Sequence, residues 1–391
     1  MLNLHTDVMA LEQTHTSGAY VKRDLQIVRG EGALLSDAEG RRYIDCVGGM
    51  GAAAFGHSHP AILHAIQEQA AELLICPELF HNPVRARYQA ELCRVTGLPR
   101  VFLCNSGTEA IEGALKIARL VTQRAGIVAA MRGFHGRTLG ALSTTWNRVY
   151  REPFEPLVPG VRHVPYNDAG RLAEALDETT AAVLIEPIQG EGGVHPAQEG
   201  YLRAVSELCQ ANGTLLILDE VQTGFGRTGW AFAFLSEGIQ PDLLCLAKSM
   251  AGGVPMGAVL LGARVGKLPP AAHGSTFGGG PLACAAGLAV LDLLEHTDLV
   301  LRARIRGAEA LAHLRERLPA EAVREVRGRG FMIGIELRGK VAPVLQALQA
   351  RGVLALPAGS TVLRLLPPLV ITDEQLWQAV HTVEEVVSNA I

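Results

Sequence analysis

The sequence predicts an α/β protein with a large, mostly parallel sheet domain and a smaller α+β domain. Its 391 residues exceed what one hydrophobic core ordinarily serves. Apolar, β-branched runs alternate with helical stretches from about Gly56 to Gly287, and the pattern changes after that point. The expected division is 1–55 as the N-terminal segment of the small domain, 56–287 as the large domain, and 288–391 as the C-terminal part of the small domain.

Taken in order, the first segment carries a turn signal, Asp37-Ala38-Glu39-Gly40, between two apolar runs, which predicts a hairpin packing with the C-terminal part. Gly49-Met50-Gly51-Ala52-Ala53-Ala54 fits a loose dinucleotide fingerprint. That fingerprint needs a helix next, and Phe55-Gly56-His57-Ser58-His59-Pro60 interrupts instead, which argues against an oxidoreductase. The His57 and His59 pair lacks further ligands at useful spacing, and no metal is expected. Strands are expected at Val101 to Cys104, Ile127 to Ala130, Ala182 to Glu186, Leu215 to Asp219, Leu243 to Ala247 and Ala258 to Leu261. An amphipathic helix from Ala110 to Val121 follows the first of them. Beyond Gly287 the spacing predicts a long helix over Arg302 to Leu318, a strand near Phe331 to Leu337 and a closing helix from Asp373.

The net charge of -4, without a long Lys or Arg run, leaves no electrostatic footprint for nucleic acid or an anionic membrane. No window approaches the roughly 20 apolar residues of a membrane span, and Met1 to Asp24 is polar rather than signal-like. These features predict a soluble, cytoplasmic protein whose partners are small molecules or other proteins. The seven cysteines are scattered and never spaced as Cys-x-x-Cys, so free thiols are expected rather than disulfides or zinc.

Ligands of parallel α/β sheets bind beyond the carboxyl ends of the strands. Here one apolar run leads into Asp219-Glu220 and another, 29 residues on, into Lys248, one of only five lysines. A lysine at the mouth of an apolar strand is partly desolvated, which favours the neutral amine that attacks an aldehyde. A nearby carboxylate can hold a pyridinium nitrogen protonated, the pairing pyridoxal phosphate requires. An isolated Lys or Asp is more commonly part of a surface ion pair; position at the strand ends separates this pair from that reading. Ser106-Gly107-Thr108 opens a helix, where free N–H groups and the dipole favour a phosphate, although a serine there also serves as an ordinary N-cap.

The constellation resembles the class III, ornithine-type aminotransferases of pyridoxal-phosphate fold type I. The resemblance rests on Asn105-Ser106-Gly107-Thr108-Glu109-Ala110, Gly133-Phe134-His135-Gly136-Arg137-Thr138, Glu186-Pro187-Ile188-Gln189-Gly190-Glu191-Gly192-Gly193, Asp219-Glu220-Val221-Gln222-Thr223-Gly224 and Lys248, in that order. It implies that Lys248 is the catalytic residue and holds the cofactor as a Schiff base. It further implies that Ser106, Gly107 and Thr108 seat the phosphate, Phe134 stacks on the ring, Asp219 pairs with the ring nitrogen and Gln222 contacts the ring hydroxyl. Thr276, in Gly274-Ser275-Thr276-Phe277-Gly278-Gly279, would reach the phosphate of a neighbouring subunit, implying a homodimer with shared active sites; Ser275 is counted with the substrate contacts. One departure is that the family's Gly-Gly-Asn-Pro-Leu is replaced by Gly279-Gly280-Pro281-Leu282 after Gly278, so the asparagine is missing.

Within this class the chain resembles acetylornithine aminotransferases and the related enzymes acting on lysine attached to an amino-group carrier protein, an acidic partner for which the 30 arginines leave room. The resemblance implies that Arg137 binds the donor carboxylate and then the distal carboxylate of 2-oxoglutarate. Arg364 would take the keto acid's α-carboxylate and be masked by Glu191 while the amine donor is bound; an interdomain salt bridge is the structural alternative. The expected reaction moves the terminal amine of an N-blocked diamino acid to 2-oxoglutarate in lysine or arginine biosynthesis, by a ping-pong route. An acetylornithine enzyme confined to the arginine pathway, an aminomutase of the glutamate-semialdehyde type and a non-catalytic scaffold are the other classes.

Overall fold

The computed structural model describes residues 7–389; residues 1–6 and 390–391, at the ends of the expected small-domain segments, lie outside the described residues. Its centre is a seven-stranded sheet in the spatial order Arg100–Cys104, Gly257–Leu261, Leu243–Leu246, Leu215–Asp219, Thr180–Ile185, Gly126–Ala130 and Val161–Val164. Gly257–Leu261 runs antiparallel to both of its neighbours, and the remaining pairs are parallel. The inner strands are buried along their whole length, as Thr180–Ile185 and Leu215–Asp219 are, because helices cover both faces of the sheet. That burial explains their continuous apolar sequence.

The helix after the first strand spans Gly107–Thr122. Ser106 caps it, its Oγ accepting from Glu109 N at 3.3 Å, and Ala110, Ile111, Ala114, Ile117 and Ala118 form its buried face. These side chains share a core with Ile217, Leu243, Cys245 and Val259 of the sheet. The N-cap and the N-terminal end of this helix are thereby fixed at the carboxyl edge of the sheet.

The expected hairpin is present as Leu34–Asp37 and Arg42–Asp45, and Val353–Leu354 pairs with the latter in parallel. A second four-stranded antiparallel sheet, in the order Val323–Arg329, Met332–Leu337, Val362–Leu365 and Leu356–Ala358, packs with helices Leu299–Arg317 and Asp373–Ser388. Thr372 and Gln375 close a reciprocal cap at the start of the last helix. Pro281–His296 is one continuous helix that crosses the expected division at Gly287, where close approach to Tyr88 leaves no room for a side chain.

Two local expectations differ from the fold. The edge strand Val161–Val164 escapes the hydrophobic pattern because Arg162 and His163 occupy its middle; backbone pairing with Gly126–Ala130 makes it a strand. The strand before Lys248 ends at Leu246, and Lys248 opens a 3-10 turn over Lys248–Ala251. His57 pairs with Asp45 at 2.6 Å, and His59 caps helix Pro60–Glu72. All seven cysteines are free thiols, most of them buried. No helix among the described residues is long and apolar enough to cross a membrane.

Candidate active site

A cavity of about 390 Å³ lies beyond the carboxyl ends of the parallel strands, and its walls include Ser106, Gly107, Thr108, Phe134, Glu191, Asp219, Gln222 and Lys248. Asp219 ends its strand and the others come from segments beyond strands, where backbone groups no longer satisfied by the ladder and polar side chains can face a ligand. The expected cofactor contacts other than Thr276 are therefore brought together in one chain.

Lys248 stands at φ +50, a backbone region uncommon for a side chain of its size. Burial of its ammonium, and then the charge of Arg364, lower its pKa; Glu191, Asp219 and Glu186 act the other way. The result favours a neutral amine. Asp219 is fixed from two sides: Oδ1 accepts from Val221 N at 3.0 Å, and Oδ2 lies 2.8 Å from His135 Nδ1. Phe134 and Val221 supply apolar wall to the same cavity.

At the helix start, the N–H groups of Gly107 and Thr108 have no partner within the helix, an arrangement suited to an anion. A Cβ at Gly107 would stand 2.8 Å from Val221 Cγ1, so glycine keeps this approach open. Thr108 Oγ1 lies 2.7 Å from Thr138 Oγ1, on the loop that carries Phe134.

The second arginine is nearly fully buried, with Arg364 Nη2 2.6 Å from Glu191 Oε1 and Nη1 donating to Gln222 Oε1 at 3.2 Å. Its Nε has no partner among the described residues. Arg137 is outside the cavity wall and exposed; its guanidinium sits 3.7 Å from the Tyr150 ring centre and 5.8 Å from that of Phe134. Ser275 is also outside the wall: its Oγ accepts from Asn105 Nδ2 and Gly278 N, both at 3.1 Å, which buttresses the helix-opening loop. Thr276 is exposed beside exposed Phe277 and does not line this chain's cavity.

Sequence reasoning passed over His135, Glu186, Ala52 and Tyr150. Glu186 follows directly on strand Thr180–Ile185, the same signal that singled out Asp219. Its Oε1 accepts from Phe134 N and its Oε2 from Gly190 N, both at 3.0 Å. Burial raises its carboxyl to about 7, partly opposed by His135 and reinforced by Asp219. His135 stood inside a quoted motif, but its partner is 84 residues away. Ala52 belongs to the glycine-rich turn that had suggested a dinucleotide site; that turn instead folds over Lys248, whose neighbour Ser249 donates to Gly51 O at 2.8 Å.

Residues 17–387 match the family described as Aminotransferase class-III. The chain is 47% identical over 387 residues to a [LysW]-aminoadipate semialdehyde transaminase of Deinococcus radiodurans, covering 97% of this chain and 90% of that relative. It is 43% identical over 383 residues to an acetylornithine aminotransferase of Methanosarcina mazei, covering 97% and 96%. Among solved structures, the ornithine aminotransferase of Toxoplasma gondii ME49 superposes with a TM-score of 0.95 at 36% identity, over 98% of this chain and 94% of that one.

Proposed function

The chain belongs to the class-III aminotransferases, and on that premise we propose that its amino donor is a lysine whose α-amine is blocked by an amino-group carrier protein, with 2-oxoglutarate as acceptor. The coarser activity is that of a pyridoxal-phosphate-dependent ω-aminotransferase of lysine or arginine biosynthesis. The choice of donor is supported by the likeness to the Deinococcus radiodurans transaminase. The observation that carries the two-substrate reading is the buried Arg364 paired with Glu191 at the cavity.

The residues fit the cofactor. One cavity offers a desolvated amine, a carboxylate anchored by His135, apolar walls for a ring, and a helix start kept clear by Gly107 for a phosphate. Pyridoxal phosphate, when bound, supplies an aldehyde that condenses with amines and a protonated ring that withdraws electrons from the substrate carbon. Lys248 would hold it and then, as a free amine, carry the proton between substrate carbon and cofactor. Asp219 would keep the ring nitrogen protonated, while His135 holds that carboxylate in place. Gln222 would contact the ring hydroxyl while accepting from Arg364.

Glu191 neutralises Arg364 while a donor without an α-carboxylate at that end is bound, and its withdrawal exposes the guanidinium to the keto acid's α-carboxylate. Arg137, at the edge of the Phe134 wall, would take the other carboxylate. A second copy of the chain completing each site is part of the same reading, supported by the exposed Thr276 and by the apolar groove of Leu74, Ile75 and Phe277.

The test is a rate comparison with 2-oxoglutarate as acceptor and carrier-linked lysine, N2-acetyllysine, N-acetylornithine and free ornithine as donors. Preference for carrier-linked lysine is the expected result. Preference for N-acetylornithine would overturn the choice of donor and assign the enzyme to arginine biosynthesis.

A further inference from the structure

The segment that carries Glu191 follows an unfavourable backbone path. Gly193 has φ +119 and Val194, a β-branched residue, has φ +55. Val194 is fully buried against Ile188, Met332, Leu356 and Leu366, and a Cβ at Gly334 would meet Val194 Cβ at 2.6 Å. A path of this kind persists only where its surroundings over-determine it.

Arg327, on strand Val323–Arg329, supplies much of that determination. Its side chain is buried; Nε donates to Gly193 O at 2.9 Å and Val194 O at 3.1 Å, and Nη2 donates to Gly193 O at 2.7 Å. Nη1 lies 2.7 Å from Glu325 and 2.6 Å from Glu336. Burial alone would raise the Glu336 carboxyl, but the hydrogen bond and charge of Arg327 hold it below its usual value. Glu336 is on strand Met332–Leu337, whose neighbour carries Arg364, with Gly334 opposite Arg364 in the register. One sheet therefore presents Arg364 and, through Arg327, grips the loop of its partner Glu191. At the other end of that loop, Gly190 N is held by Glu186.

We propose that Arg327 is a positioning residue for the Glu191–Arg364 pair, setting the geometry in which Glu191 masks and releases the arginine and so the balance between amine donor and keto acid. This rests on the gate reading given under Proposed function. Arg327 does not line the cavity and acts only through the loop. Without it, Val194 relaxes from its strained path and Glu191 loses the defined position in which it masks Arg364, which burdens the donor step more than keto-acid binding.

The experiment uses the pyridoxal-phosphate-loaded enzyme and follows each half-reaction separately by the cofactor's visible absorbance. Arg327→Met should leave the 2-oxoglutarate half-reaction within about twofold while raising the donor concentration for half-maximal rate about tenfold or more, as misplaced binding groups do. Arg327→Lys, a point charge without the planar fork, should give an intermediate shift and serves if the methionine variant fails to fold. Equal losses in both half-reactions, or no change in either, in a variant with native far-UV circular dichroism would overturn the proposal. Glu191→Gln separates it from the gate itself: unchanged donor and acceptor preference there overturns the gate and the proposal together. A changed preference in Glu191→Gln but not in the Arg327 variants overturns the role of Arg327 alone.

Discussion

His135 Nδ1 lies 2.8 Å from Asp219 Oδ2, and both side chains are buried at the end of the central sheet. With Val221 N on the other oxygen, the carboxylate has one orientation. A charge held in place needs no reorganisation when charge develops on a ligand, which is the condition for strong electrostatic catalysis.

Asp219→Asn keeps the shape and removes the charge, so kcat should fall roughly 10²-fold or more. His135→Ala leaves the charge and removes the imidazole bonded to it; a hydrogen bond of about 1.5 kcal/mol corresponds to a loss of about tenfold. Steady-state rates with the preferred donor, beside the visible absorbance of the bound cofactor, check both; equal losses in the two variants would contradict the hierarchy.

Glu191→Gln leaves Arg364 without its counter-charge at 2.6 Å. The ratio of kcat/KM for the ω-amine donor to that for glutamate in the reverse direction should fall by about tenfold or more, because a buried guanidinium seeks a carboxylate. Assays in both directions measure this ratio.

Gly107→Ala places a methyl group 2.8 Å from Val221 Cγ1, at the helix end where the N–H groups are free. Cofactor affinity, titrated on the apoenzyme by fluorescence, should weaken about tenfold or more, while melting of the apoenzyme should change by about 1–3 kcal/mol at most. Unchanged affinity would show that the phosphate lies elsewhere.

Burial, then the charges of Arg327 and Arg132, push His195 down to about 4. Its unfolded value is about 6.5. The unfolded chain therefore binds a proton that the folded chain refuses between those values, and stability present above about pH 6.5 is lost as pH falls towards 4. His195→Asn should flatten this part of the curve. Melting temperatures of both proteins from pH 7.5 to 4.5 check it, and parallel curves would refute the role assigned to His195.

Some of the architecture was plain in the chain itself. Leu215–Asp219 and Leu243–Leu246 are buried on both faces, so their apolar runs stand out, and a polar residue at the end of such a run, as with Asp219 and Lys248, marks the edge where ligands bind. Val161–Val164 lacks that signature because edge position lets Arg162 reach solvent and His163 turn to Thr144 O. The reversed direction of Gly257–Leu261 left no trace either, since an apolar run reads the same both ways.

The sequence by itself determined the strand-helix alternation, the position of the lysine and aspartate at strand ends, and the motifs that resemble the aminotransferases, because burial periodicity and turn chemistry are local properties of the chain. Only the tertiary structure decided that His135 braces Asp219, that Glu186 ties Phe134 to Gly190, and that Arg327 grips the loop beside Glu191 from a separate sheet. Apart from the local Glu186–Gly190 bond, those contacts join residues 52 to 134 positions apart. Their hydrogen bonds form only once strand order and sheet packing bring the donors to the acceptors, and no local pattern in the chain encodes that meeting.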